Sequence, residues 1–343
     1  MKGERFTEGE GRPFSHAETL HRERGVPVLY APFSRVPLFS ELVSLLAPVV
    51  QLLSLHRSAD NSVIFYNRLA AYLPVLMVSH ALGNRNFLDL EDGETAAYTN
   101  GIYRWLANAS KKIFDRICNG GAILACTALR DFTSIKPTLC YYGTTPDMAI
   151  TPRFQSDTVC ALMGGTLNRE TGAYLLTQAI TGLRHSGESW AAKLVIHVTG
   201  TGPSLTDFEK IAASPGYPTV VVHGRTTNAE YASILQECDV GLSLKLNKGT
   251  LADTTFPSKV VEFAGAGMLV LTTDISDVRL VLGEGALYLQ RDHVADLEAL
   301  LKEVVQDRAA AMAKAHRGYK NVRTLCTPSL AGQRVANFVA EVL

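Results

Sequence analysis

The stretch Phe256-Pro-Ser-Lys-Val-Val-Glu-Phe-Ala-Gly-Ala-Gly-Met-Leu-Val-Leu-Thr-Thr-Asp274 reads as a loop, a short helix, a glycine break and a buried strand. Pro257 suits the first turn of a helix, where its missing N–H costs nothing. Ser258 and Lys259 then bring backbone N–H groups and a cation to a point where a phosphate can sit. Glu262 follows one turn later, and a carboxylate there can accept two hydrogen bonds from the vicinal hydroxyls of a ribose. Gly265 and Gly267 let the helix end and the chain turn into Met268–Thr272. The order of these residues points to a nucleoside diphosphate.

Outward from this segment, short apolar runs alternate with helical patterns from Val26 onward, which predicts parallel sheets covered on both faces. The strands expected are Val28–Pro32, Val49–Leu55, Val63–Tyr66, Phe87–Leu90, Ile123–Cys126, Leu139–Tyr142, Thr158–Met163, Leu194–Val198, Thr219–Val222, Val240–Leu244, Leu269–Thr272 and Ala286–Tyr288. The polar connector Gly143–Phe154, with Pro146 and Pro152, interrupts the pattern near the midpoint and is the expected hinge. The tail Pro328–Leu343 has helical spacing at Val335, Phe338, Val339 and Val342. Val36–Leu55 carries a single charge, Glu41, and is long enough to suggest a membrane span. Pro37 and Pro48 interrupt it, so a core helix followed by a buried strand over Val49–Leu55 is the preferred reading. A peripheral membrane contact through this face stays open as an alternative.

With 343 residues, 47% hydrophobic and with 27 glycines, the chain has room for about two domains with substantial cores. Lys plus Arg equals Asp plus Glu at 33 each, so no net field draws it to nucleic acid. Cys118, Cys126, Cys140, Cys160, Cys238 and Cys326 have no spacing that suits a metal, and they read as reduced, buried small side chains. Met1–Gly11 is charged rather than apolar and is no signal peptide, so a cytoplasmic protein is expected.

At Pro257–Ser258–Lys259 and Glu262–Phe263 the chain resembles the family 4 retaining glycosyltransferases, in the branch whose nucleotide motif reads Pro-Ser-Lys, two residues, Glu, then Phe or Tyr and a small-residue and glycine stretch. Met163–Gly172, followed by Leu175, Leu176 and Ala179, looks like the opening strand, tight glycine turn and helix of that family's second domain. Lys193–Gly202 looks like its next strand and Gly-x-Gly turn, and Val220–Ser243 like the strand, helix and strand that follow. The resemblance is good over residues 155–290, weaker over 60–150 and poor before 60. It implies the GT-B architecture: two facing, doubly wound α/β domains with a cleft between them. Residues 1–148 would form a short acceptor-side domain, which lacks its first strand or begins late, and 149–326 the nucleotide-sugar domain. Residues 327–343 would form a last helix crossing back to the first domain.

The resemblance further implies transfer of a sugar from a nucleoside-diphosphate sugar to a hydroxyl of a carbohydrate or lipid-linked saccharide, with retention and without a metal or other cofactor. On the donor side it brings forward Glu262 for the ribose, Ser258 and Lys259 for the diphosphate, and the turn Gly164–Gly165–Thr166 for close backbone approach. Arg169 is the cation of that turn, since Thr171 stands where relatives often carry Lys; Lys245 and Lys248 are further candidates for the diphosphate charge. Arg225, after His223–Gly224, falls where the family packs the nucleobase. The family's second acidic residue, eight positions before the ribose Glu, is here Thr254, with Asp253 as the possible substitute. In the first domain Glu91 and Asp92 end an apolar strand at its carboxyl edge and are candidates to bind or activate an acceptor hydroxyl. Strand alternation separates them, and Asp92 is preferred. His16, with Ser15, follows a glycine turn and is a candidate sugar or phosphate contact, whereas His80 in an apolar helix reads as a packing residue. Three other readings compete: a non-catalytic nucleotide-binding scaffold, a nucleotide-sugar epimerase or hydrolase, and, less well, a dehydrogenase, for which no Gly-x-Gly-x-x-Gly follows a strand. Oligomeric state, nucleotide, sugar and acceptor are not read from the sequence.

Overall fold

A computed structural model describes residues 21–23, 26–28, 37–55, 61–93, 101–247 and 250–342. The chain divides into two compact units. The first comprises the chain up to Leu124, Leu129–Cys140 and Asn337 onward; the second comprises Ala125–Ala128 and Tyr141–Ala336.

In the first unit β1 (His21–Glu23) and β2 (Val26–Val28) pair antiparallel, and α1 (Pro37–Leu55) follows. Next come β3 (Ser62–Tyr66), α2 (Leu73–Ala81), β4 (Arg85–Leu90), α3 (Gly101–Ile117), β5 (Gly121–Leu124) and β6 (Thr138–Cys140). The four strands β3 to β6 form a parallel sheet in sequence order. Its core is built on Phe65, Leu76, Phe87, Leu88, Leu90 and Phe114, with the Phe65 and Phe114 rings edge to face at 5.9 Å. Phe338, near the end of the last helix, meets Phe87 in the same way at 5.9 Å.

Two expectations fail in this unit. Val49–Leu55 is the last part of helix α1, not a buried strand, and Leu46, Val50 and Leu53 lie exposed at i, i+4 and i+7. A short apolar run cannot be assigned by periodicity alone, and here the helical register begun at Pro37 continues through Pro48. Of the strand expected over Val28–Pro32, Val28 pairs with His21 outside the main sheet, while residues 29–32 lie outside the described residues.

The second unit runs β7 (Val159–Thr166), α4 (Ala173–Ser186), β8 (Leu194–Thr201), α5 (Leu205–Ala213), β9 (Thr219–Gly224), α6 (Asn228–Glu237), β10 (Val240–Ser243), α7 (Thr250–Asp253), α8 (Lys259–Gly265), β11 (Leu269–Thr273), α9 (Val278–Leu282), β12 (Ala286–Leu289), α10 (Val294–Gln306) and α11 (Arg308–Arg323). Helix α12 (Pro328–Val342) ends the described chain. The sheet is parallel throughout, in the order β12-β11-β10-β7-β8-β9. Strand β11 is buried at all five positions, as a parallel strand covered on both faces must be.

The connector Gly143–Phe154 is no free hinge. Arg153 is buried and donates to the carbonyls of Gln236 (2.7 Å), Cys238 (2.8 Å) and Ala266 (2.5 Å), while the Phe154 N–H donates to Asp239. The change of unit instead falls between Cys140 and Tyr141. Proline and polar residues read as a linker in sequence, but a buried guanidinium with three carbonyl acceptors fixes this segment to the second unit. All six cysteines are free thiols.

Candidate functional site

Counted within the second unit, the strand order is 3-2-1-4-5-6, and the order reverses between β7 and β10. Open α/β sheets place ligands at such a reversal, beyond the carboxyl ends of the strands. Gly164, Gly165 and Thr166 lie there. The sequence predicts a turn for them, yet they continue β7 and pair with Thr199, Gly200 and Thr201 of β8. The reason is steric. Gly165 has φ +107° and Gly200 φ +112°, and a Cβ on Gly200 would strike the Gly165 carbonyl, so two glycines let the strands stay paired to their ends.

Helix α8 faces this edge. A Cβ placed on Gly165 would lie 3.8 Å from Cε of Lys259. Lys259 Nζ donates to Glu262 Oε2 at 2.6 Å and to the Tyr231 hydroxyl at 2.8 Å, and the Tyr231 hydroxyl donates to the same Glu262 oxygen at 3.2 Å. The Lys259 ammonium also lies 4.6 Å from the Tyr231 ring centre. The pair is partly open to water, with side-chain exposures of 34% for Lys259 and 28% for Glu262. Burial pushes the Tyr231 hydroxyl pKa well up, and the Glu262 charge adds to this, so it stays protonated as a donor. At the start of the helix the N–H groups of Val260, Val261 and Glu262 are used within the turn, donating to Pro257 and Ser258 carbonyls. Ser258 itself is exposed and makes no side-chain cap.

Tyr231 is not among the residues the sequence reading singles out. A signal is present all the same: Thr227 and Glu230 form a reciprocal capping box that fixes the start of α6, and Tyr231, Ile234, Leu235 and Cys238 then fall on its inward face. Tyr231 packs against Gly164, whose Cβ, if present, would meet its ring at 3.5 Å. Tyr231 thus joins the strand end, the cation and the carboxylate.

The other donor-side candidates are dispersed around this centre. The Lys245 ammonium is bonded to the Thr255 hydroxyl in the loop before Pro257, while Lys248 lies outside the described residues. Asp253 is exposed at the end of α7, and Thr254 is buried at 3% exposure, so the position that is acidic in the resembled family is here part of the packing. Arg169 is not with Lys259: its guanidinium stacks over Tyr174 at 5.4 Å, in an open groove shared with Asn168, Pro203 and Asp207. Arg225 is exposed just beyond β9. Beside it His223 stacks on His197, with ring centres 5.2 Å apart and a 3.0 Å Nδ1···Nε2 contact. Burial, then the His223 charge, lowers the His197 pKa and keeps that ring neutral.

In the first unit Glu91 and Asp92 follow β4 at its carboxyl edge, both half-buried. Asn67, at φ 54°, clamps this edge: its N–H donates to the Asp89 carbonyl at 2.7 Å and its side-chain oxygen accepts from the Glu91 N–H at 2.9 Å. Burial pushes Asp89 up to about 6, with the Glu91 charge adding, and burial then the Asp92 charge raise Glu91. The strand ends at Leu90, so the alternation expected to separate the two carboxylates does not extend to them. His80 is exposed on α2 rather than packed, and Ser15 and His16 lie outside the described residues.

Residues 183–338, somewhat under half of the chain, match a family model described as glycosyl transferase-like. No curated protein sequence matches. Among solved structures, the chain is similar to a TarM variant of S. aureus in complex with fondaparinux, alpha-GlcNAc-glycerol and UDP, at TM-score 0.65 and 12% identity, over 86% of this chain and 58% of that one. It is similar to HepE of Anabaena in complex with UDP-glucose at TM-score 0.68 and 12% identity, over 92% of this chain and 86% of that one. It is similar to the alpha,alpha-trehalose 6-phosphate synthase of Burkholderia multivorans at TM-score 0.62 and 11% identity, over 90% and 76%. The chain thus spans 58% of the length of TarM. It has the GT-B fold, and its residues 183–338 match the glycosyl transferase-like family.

Proposed function

We propose that the chain is a retaining glycosyltransferase that binds a nucleoside-diphosphate sugar at the crevice between β7 and β10. The observation that carries this reading is the Lys259–Glu262–Tyr231 cluster set against Gly165 at the strand-order reversal. In the free protein Lys259 neutralises Glu262. On binding, Lys259 turns to the diphosphate, and Glu262, still held by Tyr231, accepts from the ribose hydroxyls. Ser258 and Lys259 offer the N–H groups not used within the first turn of α8, and Gly165 leaves room for the phosphates. Lys245 and Asp253 are further donor-side candidates, Arg225 is the base-side contact, and Arg169 reaches the donor only by leaving Tyr174.

In the reaction, the acceptor hydroxyl oxygen attacks the anomeric carbon from the face that the diphosphate leaves. The bond from that carbon to the diphosphate oxygen breaks, its electron pair stays on the diphosphate, and this oxygen takes up the acceptor proton. Lys259 and the backbone N–H groups stabilise the charge that develops on the leaving group, so no metal is required. Glu91 and Asp92 of the first unit are the acceptor-side candidates, and a carbohydrate or lipid-linked saccharide is the acceptor. Uridine diphosphate sugars are the first donors to try, since the TarM and HepE structures hold UDP or UDP-glucose. Free thiols throughout fit a reducing, cytoplasmic compartment.

The test is release of nucleoside diphosphate from a panel of nucleotide sugars, with and without saccharide acceptors. Release that requires an acceptor supports the reading; release at an unchanged rate without one would point to a hydrolase, and no release from any donor, together with no nucleotide binding, to a scaffold.

A further inference from the structure

Helix α3 carries its charge on one side in an unusual combination. Ser110 and Phe114 are buried on its inner face, whereas Trp105, Asn108, Lys112 and Arg116, at i, i+3, i+7 and i+11, are exposed along its outer crest. Trp105 is 68% exposed. Toward the other end of the helix Lys111, Lys112 and Arg116 border an open depression of about 520 Å³ with Asn108 and Ser134. The acid that borders it, Asp115, is already engaged by Arg68 (2.9 Å), the Thr133 hydroxyl (3.1 Å) and the Ser134 N–H (3.3 Å). The depression is therefore cationic. Helix α2 packs against both α1 and α3, and in the same unit Leu46, Val50 and Leu53 on α1 and Met77 on α2 are also exposed.

We propose that the first unit docks on an anionic lipid surface through α3, with Trp105 entering the interface and Lys111, Lys112 and Arg116 holding phosphate headgroups in the depression beside it. Cations alone would suit any polyanion, but a fully polar partner offers nothing to an exposed indole and to the aliphatic side chains exposed in the same unit. A bilayer surface presents both chemistries at once: anionic headgroups above and acyl chains just below, at the depth where indole rings partition. The sequence leaves a peripheral contact through Val36–Leu55 open as an alternative; the proposal puts the charged part of the contact on α3. Nothing in the donor site of the second unit enters this assignment.

The full chain is tested by co-sedimentation with phosphatidylcholine vesicles, with and without phosphatidylglycerol, while tryptophan emission is followed. The chain has two tryptophans, and Trp190 is 8% exposed, so an emission change on binding reports Trp105. Binding is expected only with phosphatidylglycerol present, with a blue shift that Trp105→Phe abolishes. Reversing Lys111, Lys112 and Arg116 to Glu is expected to weaken it at least about tenfold, since each cation near an anionic surface contributes on the order of 1 kcal/mol. Reversing Lys193, Lys210 and Lys320, exposed in the second unit, makes the same charge change and should leave binding intact. Circular dichroism and the melting midpoint of both triple variants establish that each is folded. Equal binding to neutral vesicles, no binding to either, equal loss in both triple variants, or tighter binding to an oligonucleotide than to vesicles would each overturn the proposal.

Discussion

Glu262→Ala removes the carboxylate assigned to the ribose, and the structure sets the size of the effect. A hydrogen bond to a charged acceptor contributes about 1.5–3 kcal/mol, so two ribose hydroxyls would lose about 3–6 kcal/mol. Part of this is returned. In the free protein the carboxylate is occupied by Lys259 at 2.6 Å and Tyr231 at 3.2 Å, and both members of the ion pair are about a third or less exposed. Solvent-screened pairs of this kind contribute about 0–1 kcal/mol, and freeing Lys259 for the diphosphate recovers about that amount. The net loss is about 2–6 kcal/mol, or roughly 30-fold to about ten-thousandfold in Kd. Isothermal titration with uridine diphosphate measures it directly, and an unchanged melting midpoint of the variant shows that the fold survives. Tyr231→Phe keeps the ring over Lys259 but loses the hydroxyl, and a smaller loss of about 1 kcal/mol, near fivefold, is expected. If Glu262→Ala binds within about twofold of the wild type, the assignment of the ribose contact is wrong.

Three further outcomes follow from the packing and the charges. Gly241→Ala would place a methyl group inside the Phe263 ring, which is fully buried; overpacking of this kind costs about 1–3 kcal/mol, and because Phe263 lies on α8 nucleotide affinity should fall together with stability in urea unfolding. Arg153→Met keeps the aliphatic bulk but leaves the carbonyls of Gln236, Cys238 and Ala266 without their donor, and a loss of about 3–5 kcal/mol in the same assay is expected, with less than about 1 kcal/mol contradicting the role given to this residue. Asp89 has a folded pKa of about 6 against an ordinary value of 3.8, so between these values the folded state holds the proton that the unfolded state has lost, and stability falls as pH rises through that window. Asp89→Asn should therefore gain stability relative to the wild type as pH rises from about 4 to about 7, and a pH-independent difference would remove Asp89 as the cause.

The second unit is largely legible in the sequence because its central strands β10 and β11 are buried at every position and read as apolar runs, β11 being the plainest case. Lys259 and Glu262 are legible for a different reason: a proline, a cation and an acid at helical spacing carry their chemistry in one short segment. What stays hidden depends on distant parts of the chain. Tyr231 reaches Lys259 and Glu262 from α6, and Asp277 accepts from Thr127 at 2.6 Å and from Tyr142 at 3.0 Å across 150 and 135 positions, contacts with no local signature. Gly165 reads as part of a turn because the same residue type serves turns and close strand pairing, and only the approach of Gly200 distinguishes them. Arg153 reads as part of a linker until its three carbonyl acceptors are seen. The run through Val49–Leu55 has no polar alternation to separate strand from helix, which is why it reads as part of a sheet.

The most direct test of the central claim is a crystal structure of the chain soaked with uridine diphosphate. The reading requires the ribose hydroxyls at Glu262, the diphosphate at Lys259 and the Ser258 and Lys259 N–H groups, and the Lys259–Glu262 contact opened from its 2.6 Å. A nucleotide bound elsewhere, with Lys259 still closed on Glu262 and Tyr231, would contradict it.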